Sequence, residues 1–297
     1  MKINIQNIFR ALKRAILGIL SWRFGKRVAD PVEDLLKGYG EVRRPEFPIS
    51  VIVANVGKGQ CAFLSQYAKL YQDKTRGMKT PRKVLICDPS RSRSFDSFPK
   101  VTLEQIRHGI VGQGRKQTQP WRSGIMVLRD VKWTNPEWFE VLNSHFKNGL
   151  IIFGDADIYL PSIRELYKEQ FDCFNSREDN CVDIAISVRE YRFINKAILE
   201  KARYYYCFEH LEVSGTPDKE WFRKRALPEE LYDVSKMLSS IVCDDCVRIK
   251  PMVILDTVTK GKQFIVHPES EQYLQVRVPG KNGEKLLMPY IAFKNAK

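Results

Sequence analysis

The sequence predicts an α/β fold in which helices flank a mostly parallel β-sheet. Two observations lead to this prediction. Short apolar runs alternate with segments of helical periodicity from residue 48 to residue 208. Each apolar run is also continuous, which is typical of strands buried on both faces of a parallel sheet. The chain of 297 residues is long enough to bury a core of this kind.

The predicted elements follow one another along the chain with short connections. The periodicity predicts strands at 49–54, 83–87, 123–128, 150–153, 182–187 and 204–208. It predicts helices at 61–71, 102–108, 135–145, 162–174 and 194–202. In the second of these helices, Thr102 is a typical N-cap residue and Glu104 lies in the first turn.

Beyond about residue 240 the pattern changes to short strands alone. These are predicted at 247–255, 263–267, 273–278 and 285–290, separated by glycine-containing turns. We therefore expect three parts: an N-terminal basic helix and linker at 1–47, an α/β domain at 48–240, and a β-rich C-terminal extension at 241–297. The extension is expected to form hairpins at the edge of the sheet.

Residues 3–27 are predicted to form a basic amphipathic helix. Its apolar residues share one face: Ile5, Ile8, Phe9, Leu12, Ile16, Ile19 and Leu20. Such a helix either lies on a membrane surface or docks on a partner, or it packs on its own domain or a neighbouring subunit. Its apolar stretch is too short to span a bilayer, and no cleavage site of a secretory signal follows it.

The charge of the chain is strongly and unevenly basic. The net charge is +14, and residues 74–132 alone carry a net charge of +10. This favours a nucleic acid, an acidic membrane surface or an acidic protein as the partner. The seven cysteines are odd in number and several lie in apolar runs, which indicates buried thiols in a reducing cytosol. The lone CxxC at 243–246 and the four dispersed histidines predict no metal cluster.

The segment from residue 51 to residue 64 has the organisation of a phosphate-binding loop, with an apolar strand, a glycine-containing turn and a helix. Backbone N–H groups at such a helix start bind anions. In the pattern G-x-x-x-x-G-K-[ST], Gln60 replaces the lysine and Cys61 replaces the hydroxyl residue, while Lys58 is the nearest basic side chain. The candidate ATP-binding residues are Ala54, Asn55, Val56, Gly57, Lys58, Gly59, Gln60 and Cys61. Taken alone, this segment also fits a glycine-rich turn that binds no nucleotide.

A second segment, residues 149–160, resembles a strand that ends in magnesium-binding acids. Four apolar residues precede Gly154, Asp155 and Asp157. In a working ATPase, the first acid at such a strand tip holds Mg²⁺ and the second orients the attacking water. Here Gly154 stands at the first position and Asp155 at the second. A buried strand followed by an acidic helix cap is the alternative interpretation.

The order of these segments resembles that of FtsK/HerA-type P-loop ATPases, especially phage DNA-packaging ATPases and zonula occludens toxin-like assembly ATPases. The resemblance covers roughly residues 48–225. It rests on the turn at 54–61, the strand at 83–89 with Asp88, the strand at 148–159, and Ser176-Arg177 ahead of the strand at 182–187. In the family, an acidic strand precedes an arginine-containing segment and then a strand that ends in a polar sensor residue.

The resemblance implies ATP and Mg²⁺ as cofactors, DNA as a partner and a homo-oligomer, usually a hexameric ring. It implies catalytic roles for Asp155, Asp157 and Arg177, with Asp155 as the Mg²⁺ ligand and Arg177 as an arginine finger. Ser187 and Arg189 are the candidates for the sensor position. A surface arginine in a polar loop is the alternative for Arg177.

The loop at 108–122 is rich in Gly, Gln, Lys and Arg. Arg115, Lys116 and Arg122 suit contacts to phosphates, with Trp121 as a stacking surface for a base. A solvated loop is the alternative. Arg91 and Arg93 follow the second strand and are expected near the carboxyl edge of the sheet, where ligands bind in such folds.

Three functional interpretations follow. In the first, the chain is a DNA-translocating or packaging ATPase. In the second, it is a catalytically inactive homologue that binds nucleic acid or serves in assembly. In the third, it is a peripheral membrane assembly factor. The expected location is the host cytoplasm, the periphery of the inner membrane, or the virion.

Overall fold

The structure, a computed structural model, describes most of the region between residues 47 and 289. The described ranges are 47–54, 59–76, 78, 80–112, 119–129, 137–158, 168–208, 219–232, 242–243, 249–258, 262–268, 275–279 and 285–289. The amphipathic helix predicted at 3–27 lies outside them. Within these ranges, no helix has the length and apolar character needed to cross a membrane.

Fourteen strands and six α-helices are present in the described ranges. The strands are β1 (Ile49–Val53), β2 (Lys83–Cys87), β3 (Lys100–Val101), β4 (Ile110–Val111), β5 (Gln119–Pro120), β6 (Gly124–Leu128), β7 (Gly149–Phe153), β8 (Val182–Val188), β9 (Ala202–Phe208), β10 (Val242–Cys243), β11 (Ile249–Asp256), β12 (Lys262–Pro268), β13 (Gln275–Pro279) and β14 (Lys285–Pro289). The helices are α1 (Gln60–Thr75), α2 (Leu103–His108), α3 (Glu137–His145), α4 (Lys168–Asn175), α5 (Lys196–Lys201) and α6 (Lys219–Lys224). Short 3-10 helices lie at Arg93–Phe95, Ala156–Ile158 and Tyr191–Phe193.

Nine strands form one sheet in the order β12-β11-β9-β1-β8-β7-β2-β6-β3. The seven strands from β9 to β3 are parallel to their neighbours, whereas β11 pairs antiparallel with both β9 and β12. The prediction of a mostly parallel sheet flanked by helices is thereby confirmed. The β11–β12 hairpin lies at the sheet edge, as expected, and β10, β13 and β14 form a separate small antiparallel sheet.

The strand order brings the carboxyl ends of β1, β8, β7 and β2 together. β8 lies between β1 and β7, and its Val188 is in register with Val53 of β1. Phe153 of β7 is in register with Ile186 on one side and Cys87 on the other. The residues that follow these strands therefore meet at one edge, which we call the carboxyl edge. Ligands bind at this edge in open α/β sheets.

Alternate residues of each strand point to opposite faces, and each face has its own apolar core. One core contains Ile52 of β1 together with Leu64 and Tyr71 of α1. The other contains Val51 and residues of α2 to α6. Because both faces are covered, the strand residues must be apolar on both sides. This explains the continuous apolar runs in the sequence.

Helix boundaries follow local sequence signals where these are strong. α2 begins with a capping box, in which the Thr102 side chain accepts a hydrogen bond from the Gln105 amide and the Gln105 side chain accepts one from the Thr102 amide. It ends at Gly109, whose φ of 62° is in the left-handed region. The helix predicted at 102–108 is confirmed to within one residue. α6 was not predicted, and the first residues of the helices predicted at 135 and 162 lie outside the described ranges.

A buried ion pair joins three strands at the opposite edge of the sheet, which we call the amino edge. The Arg82 guanidinium lies 3.0 Å from the Asp183 carboxylate, and both side chains are buried. Arg82 also donates to the carbonyl oxygens of Gly149 and Cys181, and the Tyr71 hydroxyl of α1 donates to Asp183. This network fixes the amino ends of β2, β7 and β8 relative to α1.

Candidate functional site

The carboxyl end of β1 runs into the predicted phosphate-binding turn. Ala54 is buried, and its amide donates to the Val188 carbonyl at 3.2 Å. Residues 55–58 lie outside the described ranges. Gly59 has a φ of 84°, a conformation that favours glycine, and it begins α1 without a side-chain cap. The first N–H groups of α1 therefore lack a capping side chain and are suited to an anion.

Gln60 stands where the pattern requires a lysine, and its side chain is engaged by the protein itself. Its Nε2 donates to the Val188 carbonyl at 3.0 Å, and the side chain is buried. The amide thereby ties the start of α1 to the end of β8. Gln60 carries no positive charge and is held against the sheet.

Cys61 links α1 to the residues after β2 and β7. Its thiol is half-buried, and the Ser92 side chain acts on its charge. Burial raises the pKa of this thiol; the Ser92 side chain lowers it, and the nearby carboxylates of Asp155 and Asp88 raise it further. Asp155 and Asp88 are therefore near enough to the first turn of α1 to act on the charge of this thiol.

The tip of β7 has glycine where an acid is expected, and the packing accounts for this. The Gly154 amide donates to the Cys87 carbonyl at 2.9 Å. A Cβ atom at Gly154 would lie 3.1 Å from the same carbonyl oxygen, which is closer than most Cβ contacts. An aspartate at this position would therefore require the end of β2 to shift.

Asp155 is the residue after Gly154. Its φ of 49° is uncommon for a residue other than glycine. Its side chain is partly exposed, and none of the described residues forms a hydrogen bond or ion pair with its carboxylate. Magnesium is typically bound by one or two carboxylates together with substrate phosphates and waters. Asp155 fits this role, because it lies near α1 and its carboxylate is available.

Asp157 is held differently from Asp155. Its side chain is fully buried, and its Oδ2 accepts a hydrogen bond from Nε of Arg189, the residue that follows β8, and forms an ion pair with Nη2 of the same guanidinium. Its Oδ1 has no hydrogen-bond partner among the described residues. The Arg189 side chain is 46% exposed. The pair therefore bridges the carboxyl ends of β7 and β8 and leaves part of the guanidinium open to solvent.

Asp88 and Arg129 fix the loop after β2. The buried Asp88 carboxylate accepts from the Ser90 hydroxyl at 3.1 Å, the Ser92 amide at 3.1 Å and Arg129 Nε at 2.9 Å. Arg129 also donates to Asp96 at 2.8 Å and to the Ser92 carbonyl at 2.7 Å. These bonds fix Ser92, whose side chain acts on the Cys61 thiol at the start of α1. Because its acceptor sites are used in this way, Asp88 is a structural acid.

Arg177 lies at the amino edge, in the loop that precedes β8. Its Nε donates to the Phe47 carbonyl at 2.7 Å, and its two terminal nitrogens donate to the Phe174 carbonyl at 2.9 Å and to Glu178 at 3.0 Å. The structure therefore does not bring Arg177 to Asp155 and Asp157 within one subunit. A finger role across a subunit interface stays a prediction.

The described part of the basic loop, residues 108–112 and 119–122, also lies at the amino edge, because residues 119–122 lead into β6. The strands separate it from the carboxyl edge by about 15 Å, at ~3.3 Å per residue. Trp121 is 5% exposed and packs edge-on against Phe146, so its ring belongs to the core and is not presented to a base as expected. Arg122 is exposed, whereas Arg115 and Lys116 lie outside the described ranges.

Two features of the carboxyl edge were not predicted from the sequence. These are the ion pair of Arg129 with Asp88 and the hydrogen bond from Gln60 to Val188. Each joins residues that are far apart in the chain, so spacing alone does not predict it. A simple signal was nevertheless present: Asp88, Arg129, Asp155 and Arg189 each follow a predicted apolar strand within two residues. In a parallel sheet such residues collect at one edge.

No protein-family model matches the sequence, and no curated protein matches it significantly. The structure is similar to that of the genome packaging NTPase B204 from Sulfolobus turreted icosahedral virus 2 in complex with AMPPCP, at 12% identity and a TM-score of 0.51, over 74% of this chain and 96% of that chain. The same NTPase in complex with sulfate matches at 11% identity and a TM-score of 0.53, over 77% and 100% of the two chains.

B204, the DNA-packaging ATPase from Sulfolobus turreted icosahedral virus, matches at 14% identity and a TM-score of 0.50, over 75% of this chain and 98% of that chain. The N-terminal domain of zonular occludens toxin from Neisseria meningitidis matches at a TM-score of 0.37, which is too low to support an argument. With its mostly parallel sheet, helices on both faces and similarity to the B204 structures, the chain has a P-loop NTPase-like α/β fold.

Proposed function

We propose that this chain is a DNA-translocating or packaging-type ATPase of the FtsK/HerA type with a divergent nucleotide site. The observation that carries the proposal is the arrangement at the carboxyl edge. The uncapped start of α1, the available carboxylate of Asp155 and the pair of Asp157 with Arg189 lie around the end of β8. The solved structures of B204 with AMPPCP, ATP-gammaS and AMP support a nucleotide as the ligand.

In this proposal the phosphates of ATP bind to residues 54–61, with the N–H groups of α1 as donors and Lys58 as a cation. Asp155 holds Mg²⁺, which neutralises phosphate charge when bound. Asp157 orients the attacking water, and its partner Arg189 fixes the carboxylate. Arg177 acts as a finger on the site of a neighbouring subunit in a ring. DNA is contacted by Arg115, Lys116 and Arg122, and residues 3–27 contact a membrane surface or a partner protein.

A second function is favoured by two observations at the same edge. Gln60 replaces the phosphate-binding lysine and is held by Val188, and the glycine at 154 leaves no acid at the tip of β7. Electrostatic stabilisation of the phosphates supplies most of the catalysis in this class of enzyme. The alternative is therefore a catalytically inactive homologue that serves as a nucleic-acid-binding or membrane-associated assembly subunit. Both forms would act in the host cytoplasm, at the inner membrane or in the virion.

ATP binding is the first test of the ATPase function. The full-length protein is titrated with a fluorescent ATP analogue and Mg²⁺, beside Lys58→Ala and the control Lys147→Ala, which removes an exposed lysine at the amino edge. Binding that is weakened in the first variant and unchanged in the second supports a rewired phosphate loop. If the wild-type protein binds no nucleotide at millimolar concentration, the ATPase proposal is excluded.

DNA-stimulated turnover then separates the two functions. Phosphate release in the presence of DNA supports the ATPase, whereas salt-sensitive DNA binding without release supports the inactive homologue. The double variant Arg115→Ala/Lys116→Ala is expected to weaken DNA binding and to lower its salt dependence. A titration of the protein with labelled DNA at several salt concentrations measures both effects. Equal binding by the variant would exclude this loop as the contact.

A further inference from the structure

The candidate site lacks the positive charge that the phosphate-loop pattern places at position 60. In the phosphate-loop pattern a lysine at position 60 would face the phosphates, but Gln60 is neutral and donates to Val188. A bound nucleoside triphosphate carries several negative charges, and backbone N–H groups compensate them only in part. If the site binds a triphosphate, we expect a second cation, in addition to Lys58, to compensate this charge. This inference therefore rests on the proposed function.

Among the described residues, Arg189 is a cation that directly follows the strand end to which the start of α1 is bonded. The carbonyl of Val188, the residue before it, accepts hydrogen bonds from both Gln60 Nε2 and the Ala54 amide. Arg189 thus leaves the sheet level with the first residue of the phosphate-binding turn. Its side chain runs from there to Asp157, which follows β7 on the other side of β8.

The guanidinium of Arg189 is both oriented and accessible. Nε and Nη2 are held by the buried Oδ2 of Asp157, and the ring of Phe193 lies 5.6 Å from the guanidinium carbon. None of the described residues accepts a hydrogen bond from Nη1, and the side chain is 46% exposed. One edge of the guanidinium is therefore fixed by the protein, while the opposite edge is free to donate to a ligand.

We propose that Arg189 binds the terminal phosphates of a nucleoside triphosphate and supplies the positive charge that Gln60 lacks. The phosphate-binding cation has moved from the start of α1 to the end of β8. Asp157 is the positioning residue that holds the guanidinium at this place. A planar guanidinium with two free N–H groups suits a phosphate, because it donates two parallel hydrogen bonds.

The test is a titration of full-length protein with a fluorescent ATP analogue and Mg²⁺. Arg189→Gln is expected to weaken binding by about tenfold or more, the loss typical of a hydrogen bond to a charged group. Arg192→Gln is the matched control. Arg192 has a similar exposure of 42% and lies over the same Phe193 ring, but it pairs with Glu190. This control is expected to bind within about twofold of the wild-type protein, since an exposed pair contributes little.

The decisive variant is Gln60→Lys/Arg189→Gln. If Arg189 supplies the missing charge, Gln60→Lys gains more affinity in the Arg189→Gln background than in the wild-type protein, whereas the two effects simply add if Arg189 has only a structural role. Thermal melts verify the fold of each variant. If Arg189→Gln is unfolded, Arg189→Lys takes its place. Lysine keeps the charge but cannot donate two parallel hydrogen bonds, so this variant is expected to bind the ATP analogue more weakly than the wild-type protein.

Three outcomes overturn the inference: wild-type affinity in Arg189→Gln, an equal loss in Arg192→Gln, or a folded double variant in which the effects of the two substitutions simply add. These differ from failure of the proposed function, in which the wild-type protein itself binds no nucleotide.

Discussion

The side-chain Nε2 of Gln60 donates a hydrogen bond to the main-chain carbonyl of Val188 at 3.0 Å, across 128 residues of sequence. The same carbonyl accepts from the Ala54 amide at 3.2 Å. Val188 thus joins the end of β1, the start of α1 and the end of β8 at the centre of the carboxyl edge. The bond also explains how a glutamine is accommodated where a phosphate-binding lysine is expected, since the amide is satisfied by the protein itself.

Replacing Gln60 with lysine should strengthen nucleotide binding. Gln60→Lys places a positive charge at the start of α1, where it would meet the phosphates, and we expect a gain of about tenfold in affinity for ATP with Mg²⁺. The variant gives up the bond to Val188, so its free energy of unfolding should fall by about 1 kcal/mol. Titration with a fluorescent ATP analogue and urea unfolding measure the two effects.

Gln60→Ala is the control for this change. It removes the same hydrogen bond and adds no charge, so it should lose stability without a gain in affinity. Tighter binding by both variants would mean that release of the loop, and not the charge, governs affinity.

Neutralising Asp155 should remove the dependence of nucleotide binding on magnesium. In the wild-type protein, we expect Mg²⁺ to strengthen binding of the ATP analogue relative to EDTA. Asp155→Asn should bind equally under both conditions, because an amide is a poor ligand for a hard cation that prefers carboxylates. Asp179→Asn, an exposed acid before β8 at the amino edge, should behave as wild type. A magnesium effect that survives in Asp155→Asn would move the metal to another residue.

Apolar runs predicted the parallel strands well, because burial on both faces leaves little freedom in their composition. The predicted strand at 83–87 is β2 without change, and the one at 123–128 begins one residue before β6. The position of Asp155 at the edge where β1 ends was also predictable, because Asp155 follows an apolar strand and parallel strands run in the same direction. The two-residue strands and α6 lack such a signal and were not predicted.

Side-chain partners were not predictable in the same way, because they depend on which strands are neighbours. Arg129 and Asp88 are 41 residues apart, and they meet only because β6 lies next to β2. Asp157 and Arg189 meet because β8 lies next to β7. Trp121 was expected to stack on bases because its loop is polar, yet Phe146 packs against its ring.

Removing Arg129 should destabilise the protein strongly. Arg129→Met leaves the Asp88 carboxylate, which is 1% exposed, without its ion-pair partner. Such a loss typically costs about 3–5 kcal/mol, and the hydrogen bonds from Ser90 and Ser92 place the expected value near the lower end. Urea unfolding at constant m-value measures it.

Asp96→Asn provides the comparison. Asp96 is the second carboxylate that pairs with Arg129, and its side chain is 59% exposed. This change should cost no more than about 1 kcal/mol. Equal losses in the two variants would show that the buried pair has no special role in fixing the loop after β2.

The buried thiol of Cys173 should make stability depend on alkaline pH. Burial raises the pKa of Cys173 to about 12 in the folded protein, from an ordinary value of 9.0. A raised folded-state pKa gives stability that is complete below pH 9 and is lost as the pH rises towards 12, by about 1.4 kcal/mol per pH unit for one thiol. Urea unfolding of wild type and Cys173→Ala between pH 8 and about pH 10.5 should give a shallower slope for the variant. Cys181→Ala removes an exposed thiol and should leave the slope unchanged.

Alkylation of Cys61 should report directly on occupation of the phosphate-binding turn. Burial raises the pKa of this thiol, so less thiolate is present near neutral pH and labelling should accelerate as the pH is raised. Since Cys61 lies in the first turn of α1, a bound nucleotide would cover it. ATP with Mg²⁺ should therefore slow labelling of Cys61 but not of Cys181, which is exposed at the amino edge. Peptide mass spectrometry after timed exposure to a maleimide resolves the two thiols. If ATP slows both equally, the protection reflects a change of the whole fold; if it slows neither while the protein binds ATP, the nucleotide lies elsewhere.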